Sequence, residues 1–150
     1  MPNTMGNGTM GSTSGVPPMF TFITLTNNNI GNLVRGVAVY SNTPNGCDKA
    51  LANAYVTSLV VGIVYDDLVI SGKPANIVTT GVVAATTTQW DVVTGGTGGL
   101  TFNTLYFLDP STAGMLTATP PLVVGQYNTL IGLALSATKM KLSTRDAIKL

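Results

Sequence analysis

From Met19 onward, apolar and polar positions form short runs that alternate or make brief apolar blocks, each closed by glycine, proline or asparagine. MFTFITLT (19–26) alternates aromatic or branched residues with threonine, which predicts a strand, and NNNIG (27–31) reads as a turn. LVRGVAVY (33–40) is the next strand, followed by the Pro and Asn-Gly turn signal of TPNG (43–46). DKALANAYV (48–56) fits either one helical turn or a strand edge, and SLVVGIVY (58–65) is a buried strand ended by Asp66-Asp67. LVISGKPANIVTTGVVAA (68–85) holds two strands around Ser71–Pro74, and TTTQWDVV (86–93) reads as another, carrying Trp90. After the glycine loop TGGTGG (94–99), strands follow over LTFNTLYFLD (100–109), MLTATPPLVVGQYNTL (115–130, broken at Pro120-Pro121) and IGLALSATKMKLS (131–143). No helix-period pattern of useful length intervenes. About nine or ten short strands with such turns predict an all-β body over residues 19–143, a small sandwich or barrel.

The same pattern contains a weak internal repeat. GNLVRGVAVY (31–40), the turn SNTPNG (41–46) and VVGIVY (60–65) match GLTFNTLYFL (99–108), DPSTAG (109–114) and LIGLAL (130–135) in kind and order. Gly46 and Gly114 fall at the same offset from Gly31 and Gly99, and Gly62 and Gly132 at nearly the same one. The body is therefore expected to consist of two similar halves.

Residues 1–18, MPNTMGNGTMGSTSGVPP, differ from the body: Gly, Ser, Thr and Asn dominate, and Pro17-Pro18 stiffens the exit into the first strand. This composition predicts an extended arm held by a neighbouring chain or folded back on its own domain. Its candidate contacts are the groups available to bury at and next to it: Met5, Met10, Val16, Pro17, Pro18, Met19 and Phe20. At the other end, residues 144–150 read as a basic, solvated tail.

Composition narrows the chemistry. Charged residues make up 9% of the chain, the net charge is +1, and there is no histidine or glutamate. Steering to nucleic acid or to an anionic membrane is not expected at that charge. No stretch matches a membrane span, and the N-terminus lacks the basic and apolar blocks of a signal peptide. Cys47 stands alone, which excludes an internal disulfide and predicts a small buried residue. Nucleophilic catalysis would lack a histidine base, a zinc site its usual ligands, and a glycosidase its spaced carboxylate pair. Asp66-Asp67 are adjacent on an extended segment and point apart, as in a hydrated turn. The glycines of GNGTMG (6–11) match a dinucleotide pattern by chance, since neither a strand nor a helix flanks them. No cofactor and no metal are expected.

The second half also carries a resemblance. GGLTFNTLYFLDPSTAGMLTATPP (98–121) and VGQYNTLIGLALSATKMKL (124–142), preceded by QWDVVTGGTGG (89–99), resemble a β module of tailed-bacteriophage virion proteins. That module belongs to capsid decoration proteins, also called cement or head-fibre proteins, and to some tail fibres. The resemblance covers roughly residues 80–142, extends loosely to 31–70 through the repeat, and leaves out the arm. It implies a non-enzymatic structural protein on the outer capsid surface of a virion, assembled in the host cytoplasm. The implied partners are the major capsid protein and copies of the chain itself, as a dimer or trimer. The alternative it implies is a tail-fibre or receptor-binding protein recognising a host glycan. In that reading Trp90 and Tyr106, in a row with Phe102 and Phe107, would supply an aromatic platform.

Overall fold

The computed structural model describes residues 20–150. Thirteen strands and one α-helix lie among them: β1 (Phe20–Asn27), β2 (Leu33–Val34), β3 (Ala38–Thr43), β4 (Gly46–Lys49), β5 (Val60–Val64), β6 (Leu68–Val69) and β7 (Pro74–Ala84), then α1 (Thr87–Thr94), β8 (Leu105–Leu108), β9 (Leu116–Thr117), β10 (Tyr127–Asn128), β11 (Leu130–Ala134), β12 (Lys139–Leu142) and β13 (Ile148–Lys149). Nine of them form one sheet in the order β9-β8-β11-β12-β7-β1-β4-β3-β5. Because β5 also pairs with β7 through Ile63↔Val78 and Val64↔Ile77, the β7-β1-β4-β3-β5 stretch closes into a small barrel. The expected all-β architecture holds, with two further two-stranded ribbons, β2–β6 and β10–β13.

The two halves are visible in the pairing. In the first, β3 lies between β4 and β5; in the second, β8 lies between β9 and β11. Each triplet carries a bulge at the same place. Val61 is skipped between Val39↔Gly62 and Tyr40↔Val60, and Ile131 between Tyr106↔Gly132 and Phe107↔Leu130. The glycine after each bulge lies under a neighbouring strand: a Cβ on Gly62 would run into the Val78 carbonyl, and one on Gly132 into the Lys141 carbonyl. A bulge sharpens local twist, and a bare Cα next to it lets the adjacent backbone approach.

β7 serves both halves. Its first residues, Pro74 to Val78, face β1 and β5, and its last, Gly81 to Ala84, pair with β12. The halves are also joined through Ala38, whose N–H donates to the Gly114 carbonyl at 3.0 Å while the Gly114 N–H donates to Ala50 at 2.7 Å. The core runs continuously through Leu33, Ile63, Ile77, Leu108, Ile131 and Met140, all fully buried.

Three local expectations are corrected. Residues 87–94 form a helix, not a strand: Thr86 Oγ1 accepts from the Gln89 N–H, Gln89 Oε1 accepts from the Thr86 N–H, and Gly95 closes the C-terminus in the left-handed region with φ 72°. Trp90 and Val93, three residues apart, then share the buried face, and that packing outweighs the β-branched composition. The basic C-terminus is not a free tail: β13 pairs with β10, and the Leu150 N–H donates to the Gln126 carbonyl at 3.0 Å. The strand expected from Leu100 begins only at Leu105, after a turn in which Asn103 takes a positive φ of 59°.

Cys47 is fully buried on β4, and that burial, with the Asp48 charge beside it, pushes its thiol up to about 11. The folded chain is therefore expected to resist a chromogenic disulfide reagent at about pH 8 and to react within minutes once unfolded in urea. Rapid native labelling would contradict the burial.

Candidate functional site

The first site is the outer edge of β1. Its inner edge pairs with β7 from Phe20↔Gly81 to Thr26↔Pro74, but its outer edge meets β4 only at Thr26 and Asn27. Over Phe20–Leu25 no described strand covers that edge. Successive strand residues point to opposite faces, yet Phe22 is 55% and Ile23 42% exposed, so in mid-strand an apolar side chain meets solvent on each face, while Phe20 and Leu25 pack partly against the core. β1 carries no charged residue of the kind that normally protects an edge. Threonines hold the strand to β7: Thr21 Oγ1 contacts the Thr80 hydroxyl and lies 3.2 Å from that of Thr79, and the Thr24 hydroxyl donates to Asn76 Oδ1 at 3.0 Å.

At its start β1 is pinned by an aromatic stack. The Phe20 ring lies 4.7 Å from that of Tyr65, and the Arg35 guanidinium sits 4.3 Å above the same tyrosine. Of the arm contacts expected from the sequence, only Phe20 lies among the described residues, and it is half-buried in this stack; Met5, Met10, Val16, Pro17, Pro18 and Met19 lie outside them.

Arg35 continues the site away from β1. Its Nε and Nη2 reach Asp67 Oδ1 at 3.0 and 2.9 Å, and Gln89 Nε2 donates to the same oxygen at 2.9 Å. The Arg35 and Gln89 hydrogen bonds, with the guanidinium charge, hold the Asp67 carboxyl below its usual range. Asp66 diverges from it as expected, accepting from the Asn76 backbone and side chain at 2.8 and 3.2 Å. Between Arg35, Asp67, Thr86, Gln89 and Thr138 lies an open cleft of about 500 Å³. The hydrophobic pattern of the sequence does not mark it. Its lining comes from four separate segments, and only the Thr86–Gln89 capping box is a local signal.

The aromatic platform is corrected. Trp90 is fully buried beneath α1, its Nε1–H donating to the Thr138 carbonyl at 3.0 Å. Tyr106 is also buried, its hydroxyl accepting from the Thr101 N–H at 2.9 Å. Helical geometry turns Trp90 inward, and the β8 pleat does the same for Tyr106, so neither ring faces solvent; Phe102 does, but alone on a loop. A second apolar region lies elsewhere: Leu122, Val123 and Val124 follow Pro120-Pro121 and are exposed, as are Ile148 on β13 and Tyr55 beside Tyr127.

Among the described residues no group of three or more His, Cys, Asp or Glu side chains is placed to hold a metal ion, and no helix is long and apolar enough to cross a membrane. A comparison with protein-family models gave no match, and a comparison with curated proteins gave none either.

Proposed function

We propose that this chain is a structural virion protein of the capsid-decoration type, which binds the outer surface of a phage shell and reinforces it. The observation that carries this reading is the outer edge of β1. It is uncharged, apolar on both faces, and immediately follows the segment expected to act as an arm. Strand addition at such an edge gives affinity through main-chain hydrogen bonds and specificity through alternate side chains. The sequence resemblance over residues 80–142 supports the virion setting, and the 9% charge suits a surface packed against other subunits. The partners in this reading are the major capsid protein and further copies of the chain.

Quantitative mass spectrometry of purified particles carrying this chain tests the proposal. A copy number equal to that of the shell protein, or a simple fraction of it, is the expected result; a few copies per particle would transfer the chain to the tail. Replacing Phe22 and Ile23 together by lysine is expected to leave the fold intact and to abolish shell binding, because both side chains are exposed and charges on an edge oppose strand addition. Undiminished binding of that variant would reject β1 as the contact.

A further inference from the structure

We propose that the outer face of β8, β11 and β12 is a docking surface for a segment of a different protein, one that sets carboxylates beside apolar side chains. The inference concerns the second half of the molecule and does not rest on the virion reading.

The two halves supply the comparison. Next to the paired bulges, Ala38↔Ile63 in the first half corresponds to Leu105↔Leu133 in the second, directly preceding Val39↔Gly62 and Tyr106↔Gly132. On the following strand Ile63 pairs with Val78 and Leu133 with Lys141. Residues paired across strands share a face, so each half carries one row: Ala38–Ile63–Val78 and Leu105–Leu133–Lys141. The first row is fully buried. The second is open: Leu105 is 45% exposed, Lys141 is exposed, and Leu133 is only partly buried. The same place in the same pattern is therefore a packing surface in one half and lacks a cover in the other. Leu105 and Leu133 also lie side by side, and Phe107, two residues along β8 from Leu105, extends the apolar strip on the same face.

Charge specifies what fits. Lys139 lies two residues before Lys141 on β12, on the same face and opposite Ala84. Among the described residues the only ion pair joins Arg35 to Asp67, so neither lysine has a carboxylate partner. A segment that covers Leu105 and Leu133 brings its neighbouring side chains over these two lysines. Carboxylates there complement them, and further cations would be repelled. A second copy of the chain supplies few such groups: of its six aspartates, Asp48, Asp66, Asp67, Asp91 and Asp109 accept hydrogen bonds within their own chain, which leaves Asp146. A nucleic acid would meet the lysines and leave the leucines bare. Two lysines in a chain of net charge +1 do not hold an anionic bilayer.

The test is selection from a random peptide library against the purified full chain, with the double variant Lys139→Glu, Lys141→Glu carried in parallel. Peptides that combine Asp or Glu with Leu, Ile, Val or Phe are expected to enrich on the parent chain, and basic apolar peptides on the double variant. For the parent's best acidic peptide, the double variant is expected to weaken binding at least about tenfold. Leu105→Thr, which trims an exposed side chain and keeps a good strand former, is expected to weaken it about fivefold. The proposal is overturned if no peptide enriches, if the enriched peptides carry no acidic bias, or if binding is unchanged in either variant. Sedimentation of the chain alone covers the remaining occupant: a dimer that Leu105→Thr dissolves would assign the face to a second copy and overturn the proposal as well. None of these measurements involves a shell, so failure here leaves shell binding at β1 standing, and failure of shell binding leaves this result standing.

Discussion

Replacing Trp90 by alanine is expected to cost about 3–5 kcal/mol, the range for removing a buried aromatic side chain from a packed core. Trp90 is fully buried, and its indole N–H ties α1 to the β11–β12 turn through the Thr138 carbonyl. It also packs against the backbone at Gly36, where an added Cβ would lie 3.4 Å from the indole ring. One side chain thus holds three separate segments in place, and local collapse cannot refill the space. A domain of this size has a total stability of about 5–15 kcal/mol, so the variant would stand near the edge of unfolding at body temperature. Urea unfolding followed by far-UV circular dichroism measures the effect. A loss under about 1 kcal/mol would contradict the packing described for α1.

The second large effect is expected at the paired glycines. Gly62→Ala and Gly132→Ala each place a methyl against a ladder carbonyl, Val78 in one case and Lys141 in the other. The further neighbours are the Ile77 Cγ2 at 2.9 Å and the Met140 Cγ at 3.0 Å. A flexible side-chain end can move aside, but a sheet backbone moves only by breaking its own hydrogen bonds. Each substitution is expected to cost about 3 kcal/mol or more, at the upper end of overpacking effects. The structural equivalence of the two bulges requires similar penalties. If either variant unfolds within about 1 kcal/mol of the parent, the close strand approach at that glycine is wrong.

The repeat was legible because its markers are glycines and turns, which act locally. Asn45 takes a φ of 61° before Gly46, and Gly114 a φ of 80°, and at those values the chain favours asparagine or glycine at fixed spacings. The helix was not legible in the hydrophobic pattern, because Thr87, Thr88, Val92 and Val93 are β-branched and only Trp90 and Val93 are buried. Its signal lay in the Thr86–Gln89 capping pair and in Gly95. Counted back from Gly31 and Gly99, β1 and α1 occupy nearly the same place, so equivalent parts of the two halves take different secondary structure. The Arg35 cleft was hidden for another reason. Its members are unremarkable residues until β7, α1 and three turns bring them together.

The shared strand β7 makes the two similar halves inseparable. Excising either half would strip β7 of partners along part of its length and expose backbone donors and acceptors that the sheet now satisfies. Two units built on a similar pattern thus lack the independence that the units of a tandem array keep. Neither half is therefore expected to fold alone, and the described residues are expected to melt as one cooperative block.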